Sequence, residues 1–203
     1  MGKKDPSSKV SRFLTAILRH RAVEMGIPIR SDGYIRVRDL RDKVDFHLSL
    51  EELAELVRLD KKTRFSLIQE GEEWLIRANQ GHSLKEVISE DLLTLISEED
   101  VNKFPIAVHG TTLLAWESIQ KMGLSKMERN HIHFAISDDL TQTLSGFRVK
   151  SEVLVYIDVK KCMHAGMTFW ISKNHVILSS GIDGVIIPEF FSRVTDRTGK
   201  SLL

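Results

Sequence analysis

The chain reads as an α+β protein built from two small domains, and three patterns predict it. Apolar residues recur at helical spacing close to the N-terminus. Two β-like runs flank a glycine turn before residue 80, and after Ser97-Glu-Glu-Asp100 the pattern changes to a series of short strand-like runs. At 203 residues the chain has room for one large core or two modest ones, and the change of period favours two. We expect a first domain over residues 1–96 and a β-rich second domain over 97–203.

Each element has a local reason. Val10, Phe13, Leu14, Ile17 and Leu18 fall at i, i+3, i+4, i+7 and i+8, so one face of a first helix is buried, with Ser7 or Ser8 as its cap. Asp32-Gly33 marks a turn-rich stretch. Ser49 and Glu52 form a capping box that opens a second helix; Leu53, Leu56 and Val57 are its inward stripe, and Asp60 with the lysines after it ends it. Phe65–Gln69 and Glu73–Arg77 read as a hairpin around Glu70-Gly71-Glu72. Helix, turn-rich segment, helix and hairpin together suggest a winged-helix domain across residues 1–85. A further capping box, Ser83 to Glu86, predicts a connecting helix over 83–96 through Leu84, Val87, Ile88 and Leu92. In the second half the strand-like runs are Phe104–Val108, Ile132–Ile136, Val153–Val159, Thr168–Ile171, Val176–Leu178 and Val185–Ile187. A helix from Leu113 to Met122, closed by Gly123, interrupts them, and Asp138 is placed to cap another.

Composition excludes several classes. No window approaches the roughly 18 uninterrupted apolar residues of a membrane span, and Met1-Gly-Lys-Lys-Asp-Pro-Ser-Ser8 has no apolar stretch after its charges, so neither a signal nor an anchor is expected. A soluble, cytoplasmic, monomeric protein is the expectation. Cys162 is the single cysteine, which rules out an intramolecular disulfide and suits a buried apolar role. Residues 1–81 hold 16 basic and 13 acidic side chains against 13 and 15 in residues 82–203, an asymmetry too small to argue for nucleic acid by itself.

The chemistry is concentrated in a few segments. Arg77-Ala-Asn-Gln-Gly-His-Ser83 sets a cation, two amides, an imidazole and a hydroxyl around a glycine, more functional groups than a turn requires. Arg19 and His20 lie at the end of the first helix, where the macrodipole favours cations by about 0.3–1 kcal/mol; they also suit an anion site with Arg64, whose planar fork matches a phosphate. His109-Gly-Thr111 offers close backbone approach at glycine beside two hydrogen-bonding side chains. In Arg129-Asn-His-Ile-His133, strand alternation puts His131 and His133 on one face and Ile132 and Phe134 on the other. Two histidines invite a metal, but no cysteine or carboxylate cluster joins them at ligand spacing, and no metal is expected. Phosphate-loop, dinucleotide-fold and Gly-x-Ser-x-Gly signatures are absent from the sequence. A winged-helix DNA regulator would need a basic recognition helix, whereas residues 49–60 carry Glu51, Glu52, Glu55 and Asp60 against one Arg58.

The order of these segments, Leu18-Arg-His20, Lys61-Lys-Thr-Arg-Phe65, Arg77–Ser83, His109-Gly-Thr111 and Arg129-Asn-His-Ile-His133, resembles the NAD-dependent RNA 2′-phosphotransferases of the KptA type, over about residues 8–192. The resemblance implies a winged-helix lobe followed by a lobe of the ADP-ribosyltransferase fold. It also implies a catalytic tetrad falling on Arg19, His20, Arg64 and Arg129. By the same resemblance His109, His133 and Val176 form the NAD-binding triad, with Gly110, Thr111, Ser137 and Arg148 as further NAD contacts. Arg77, Asn79, Gln80, Gly81, His82 and Ser83 would meet the RNA substrate. The family chemistry runs in two steps. The RNA 2′-phosphate attacks the anomeric carbon of NAD and expels nicotinamide; a neighbouring ribose hydroxyl then attacks phosphorus, leaving a 2′-OH and ADP-ribose 1″,2″-cyclic phosphate. A spliced tRNA junction is the implied partner, and a plain ADP-ribosyltransferase acting on protein or a nucleic-acid end is the alternative. The chain departs from the family's pattern at Asn174-His-Val176, where Asn-Gly-Val is common, and at Ser145-Gly146, where a valine-glycine pair is common.

Overall fold

The computed structural model describes residues 6–44, 48–138 and 151–203. It divides into two compact units, Met1–Leu92 and Leu93–Leu203, and both mix helices with antiparallel strands, so the protein is α+β.

In the first unit, α1 (Pro6–Ala16) continues into a π-helical turn over Ile17–Arg21, in which the Ala22 N–H donates to the Ile17 carbonyl at 3.0 Å. Ser7 and Ser8 lie inside the first turn and do not precede the helix, because Pro6, whose fixed φ suits a first helical position, begins it. Leu14, Ile17 and Leu18 are buried as the spacing predicts, but Phe13 is 39% exposed. Widening to a π turn rotates the following residues, so Ile17, Leu18 and Arg19 are buried in succession and no single 3.6-residue stripe carries the packing. After β1 (Ile35–Arg36) come α2 (Val37–Lys43) and α3 (Leu50–Leu59), the latter with the expected Ser49–Glu52 capping box complete in both directions. The hairpin is β2 (Phe65–Glu70) with β3 (Glu73–Ala78), paired from Phe65↔Ala78 to Glu70↔Glu73 around Gly71 at φ 60°, a conformation suited to glycine. The strand order is β1-β3-β2, with α3 against β2 and α2 against β3.

No helix starts at Ser83. The Ser83 N–H donates to the Arg19 carbonyl at 2.9 Å and its hydroxyl meets His20, so neither is available for a capping box. Leu84 and Val87 are buried without helix, and only a short α4 (Ser89–Leu92) follows.

The second unit is built on a mixed-length antiparallel sheet. Its strands are β4 (Thr94–Leu95), β5 (Val108–Thr111), β7 (Ile132–Ala135), β8 (Val153–Ile157), β9 (Trp170–Ile171), β10 (Val176–Ser179) and β12 (Phe191–Asp196), in the order β12-β8-β5-β7-β10-β9-β4. A separate pair joins β6 (Leu124–Ser125) to β11 (Val185–Ile186). α5 (Leu113–Met122) has the expected bounds, with Thr112 as N-cap and Gly123 at φ 88°. At Gly123 a Cβ would stand 2.4 Å from the Ile186 carbonyl oxygen, so only glycine lets α5 and β11 approach. The run at 153–159 ends two residues early because Asp158 caps α6 (Val159–His164), accepting from the Lys161 N–H at 2.9 Å. The run at 104–108 is displaced instead, since the strand begins only at Val108. β12 went unpredicted: Phe191-Ser-Arg-Val-Thr-Asp196 has β-branched residues but exposed Ser192 and Arg193. The helix that Asp138 would cap falls on residues outside those described.

The sheet has two faces. One carries Ile132, Phe134, Val153, Val155, Ile177 and Val194 into the main core of this unit, together with Phe169 and Cys162. The other carries Val108, Ala135, Leu154 and Tyr156. Burial pushes the Cys162 thiol up to about 12 from 9.0. A thiol whose proton is held more tightly in the folded chain contributes stability that is complete below pH 9.0 and is lost as pH rises toward about 12. Native protein at pH 8 is therefore expected to leave Cys162 unmodified by iodoacetamide until denaturant is added, as followed by intact mass. Labelling of the folded chain at the rate of a free thiol would contradict this burial.

Among the described residues no helix is long and apolar enough to cross a membrane.

Candidate active site

In the first unit the candidate residues gather around Gly81. This glycine has φ 88°, and a Cβ there would lie 3.2 Å from Cζ and Nη1 of Arg19 and 3.3 Å from its Nε. The Arg19 guanidinium therefore lies against the bare backbone of Gly81, and Arg19 is itself buried in the π-helical turn at 9% exposure. The next residue along that turn, His20, is exposed and has Nδ1 2.9 Å from the Ser83 hydroxyl. A π turn supplies this geometry, because it sets Arg19 inward and His20 outward on successive residues while both reach the 81–83 segment. For Gly81→Ala we expect a loss of about 1–2 kcal/mol in unfolding free energy from the left-handed backbone alone, measured by urea denaturation; unchanged stability would mean that Arg19 yields freely.

The same segment holds Arg64 from its other end. The Asn79 N–H donates to the Arg64 carbonyl at 2.8 Å, its amide donates to the Thr63 carbonyl at 2.8 Å, and its Oδ1 accepts from the Ser66 hydroxyl at 2.7 Å. Arg64 also pairs through Nη1 with Asp60, and its backbone N–H donates to Asp60 Oδ2 at 2.5 Å. The Arg19 and His20 side chains and the Arg64 backbone thus meet one stretch of chain, residues 79–83, while the Arg64 guanidinium is turned to Asp60. Arg77 is occupied differently: Nη1 donates to the Asp32 carbonyl at 3.0 Å and the guanidinium stacks 4.5 Å from the Tyr34 ring centroid. Gln80 and His82 are buried, His82 with Nε2 3.3 Å from where a Cβ of Gly33 would be.

In the second unit, Arg129 is exposed in the turn before β7. His131 and His133 are both 7% exposed, and His131 makes an edge contact with Trp170 at 5.3 Å. The register Val108↔Ala135 puts His133 on the Val108 face and His109 on the opposite, core-side face, where its ring meets Phe134 at 6.3 Å. The link between the two histidines runs through the backbone, His109 Nδ1 to the His133 carbonyl at 2.9 Å. Gly110 and Thr111 follow on β5, half-buried, and Ser137 is half-buried just beyond β7. Val176 is fully buried opposite Ala135. The turn before it holds His175 at φ 57°, the conformation for which glycine is the easy residue. At Asn174-His175-Val176 this chain therefore sets a non-glycine residue in a left-handed turn and carries the strain. Arg148, Ser145 and Gly146 lie outside the described residues.

Sequence reasoning missed two groups. Asp60 was read only as a helix end, although an aspartate heading Asp-Lys-Lys-Thr-Arg is a recognised turn former that bonds backbone groups ahead of it. Tyr156 and Arg193 also escaped notice, and Asp138 was read only as a helix cap. The Tyr156 hydroxyl donates to Asp138 at 2.9 Å, and Arg193 stacks 3.9 Å above the tyrosine ring. Burial, then the hydrogen bond to Asp138, raises the Tyr156 phenol above its ordinary value. No local sequence signal links these three: the pairing of β8 with β12 sets Arg193 beside Tyr156, and Asp138 reaches them from beyond the end of β7. Among the described residues, no three histidine, cysteine or acidic side chains converge as metal ligands would.

The family model for "RNA 2′-phosphotransferase, Tpt1 / KptA family" matches residues 5–181, which include every one of these side chains except Arg193. The chain belongs to the Tpt1/KptA family of RNA 2′-phosphotransferases. Within this family it is 37% identical over 190 residues to tRNA 2′-phosphotransferase 1 of Danio rerio, covering 91% of this chain and 84% of that protein. To a Schizosaccharomyces pombe relative it is 38% identical over 196 residues, 95% of this chain but 52% of that longer protein. A Rhizobium johnstonii relative named "Probable RNA 2′-phosphotransferase" is 29% identical over 177 residues, 86% of this chain and 90% of that protein. Tpt1/KptA relatives named for tRNA and for RNA thus both match nearly the whole chain.

Proposed function

We propose that this protein removes an internal 2′-phosphate from RNA, of the kind left at a spliced tRNA junction, by transferring it to NAD. The observation that carries the reading is the gathering of Arg19, His20 and Arg64 along residues 79–83 in a chain of this family. The Arg19 guanidinium and the His20 imidazole lie against residues 81–83 and Arg64 is joined to the same segment through its backbone, and cations gathered in this way suit a dianionic phosphate far better than a neutral acceptor.

In this reading the first unit is a winged-helix lobe that holds the RNA, and the second an ADP-ribosyltransferase-like lobe that holds NAD as co-substrate. Arg19, His20 and Arg64 hold the 2′-phosphate as it attacks the anomeric carbon of the nicotinamide ribose, with release of nicotinamide. Asn79, Gln80, Gly81, His82 and Ser83 meet the RNA around its phosphate, and Arg77 stands behind them against Tyr34. In the second unit His109, Gly110, Thr111, His133, Ser137, Arg148 and Val176 bind NAD. In the second step Arg64 and Arg129 neutralise charge growing on the phosphoryl oxygens, and His20 moves or orients a proton. The products are RNA with a free 2′-OH and ADP-ribose 1″,2″-cyclic phosphate. No metal has a part, and the enzyme works as a cytoplasmic monomer.

The test uses a short RNA with one internal 2′-phosphate, incubated with the protein with and without NAD and with no added metal. Phosphate loss and nicotinamide release are expected together and only with NAD. Nicotinamide without phosphate loss would make the protein a plain ADP-ribosyltransferase, and neither product would overturn the enzyme reading.

A further inference from the structure

The five residues from Asp60 to Arg64 form a loop that does more than end a helix. The Asp60 side chain is only 7% exposed although it is a carboxylate, and its bonds go mainly to one residue. Oδ2 accepts the Arg64 backbone N–H at 2.5 Å, and Oδ1 pairs with the Arg64 guanidinium at Nη1 while receiving the Lys62 N–H at 3.4 Å. The Asp60 carbonyl accepts from the Thr63 N–H at 2.8 Å. Thr63 itself sits at φ 46°, a region that a β-branched side chain rarely enters. Strain of this kind persists where surrounding bonds over-determine the backbone. Here they do: Asp60 holds the loop from one side, while Asn79 takes the Thr63 and Arg64 carbonyl groups from the other.

Ending α3 requires none of this. A helix ends on any residue that leaves the helical region, and the Asp60 N–H bond to the Val57 carbonyl already closes the last turn. The extra bonds act on Arg64, which is gripped at its amide nitrogen, at its carbonyl oxygen and at one guanidinium nitrogen. A flexible side chain with several rotatable bonds is thereby held in one orientation. The half-buried Lys62 ammonium has its proton loosened, by burial first and by the nearby Arg64 charge second, with Asp60 opposing. Two cations therefore crowd against one carboxylate, a charge balance that favours an arriving anion.

We propose that Asp60 is a positioning residue for the phosphotransfer, holding the Arg64 guanidinium in the orientation that meets the RNA 2′-phosphate. It touches neither reactant and acts only through Arg64. The inference rests on the transferase reading above, so the experiment separates the two. Wild type, Asp60→Asn, Arg64→Ala and the double variant are assayed for 2′-phosphate removal at saturating NAD, with urea midpoints measured for each.

With wild type active, Asp60→Asn is expected to lower kcat by about tenfold or more while changing the KM for RNA by less than about threefold. In the Arg64→Ala background the same change should alter kcat by no more than about twofold, because the group it positions is gone. Equal losses in both backgrounds would overturn the positioning role and leave a purely structural one. Full activity of Asp60→Asn would also overturn it. If Asp60→Asn proves too unstable to assay, Asp60→Glu keeps the charge but displaces it by one methylene. A kcat loss in a folded Asp60→Glu supports the proposal, and wild-type kcat in that variant rejects it. An inactive wild type would instead remove the transferase reading, and this inference with it.

Discussion

Arg64→Ala is expected to lower turnover of a 2′-phosphorylated RNA by about a hundredfold or more, since loss of one oxyanion-stabilising donor costs roughly 3–4 kcal/mol in the transition state. Arg64 is suited to a large effect because its orientation is prepared in advance: Asp60 and Asn79 fix it before any substrate arrives. A preorganised donor spends nothing on reorientation as charge develops. The side chain is 32% exposed, so its removal opens no core cavity, and unfolding should change little beyond the effect of leaving Asp60 without its guanidinium. Steady-state kinetics and a urea titration on the same preparation separate the two effects. Undiminished kcat in a folded variant would remove Arg64 from the mechanism.

Phe134→Ala is expected to remove about 3–5 kcal/mol of stability, the usual range for truncating a buried aromatic ring. Phe134 is completely buried at the centre of β7, within 6.5 Å of Phe169 and 6.3 Å of His109 by ring centroids. Its flanking residues, His133 and Ala135, point to the other face, so the ring anchors the strand that presents His133. Domains of this size have about 5–15 kcal/mol in total. The variant should therefore show a second unit that unfolds at much lower urea, read by far-ultraviolet circular dichroism. A loss below about 1 kcal/mol would mean that the core around Phe169 collapses to fill the space.

Much of the fold was legible where local chemistry decides. The Ser49–Glu52 box, the hairpin around Gly71 and the helix closed by Gly123 depend on hydrogen bonds and dihedrals within a few residues, and each is found where the pattern puts it. Ser83–Glu86 has the same local pattern and fails, because a distant partner claims the serine: His20 and the Arg19 carbonyl are more than sixty positions away in sequence. The π turn at Ile17–Arg21 was equally illegible, since a helical stripe looks the same until one extra residue is inserted into the hydrogen-bond ladder. The sequence also pointed to the charged side chains of the first-unit site. It could not indicate what holds them, as the partners Gly81 for Arg19 and Asp60 for Arg64 are chosen by packing.

The alternation His131-Ile-His133-Phe, read alone, assigns the two faces of β7 correctly, with Ile132 and Phe134 in the core. It does not reveal that His109 lies on the core-side face and meets the His133 carbonyl group, because that depends on the register of β5 against β7. Residue types, their order along the chain and the periodicity of each segment were thus determined by the sequence itself, and with them the α+β class and the family. Which side chain each charge leans on was decided by the tertiary structure. Hydrogen bonds and close packing between residues far apart in sequence select one partner among many chemically equivalent ones, and no local pattern encodes that choice.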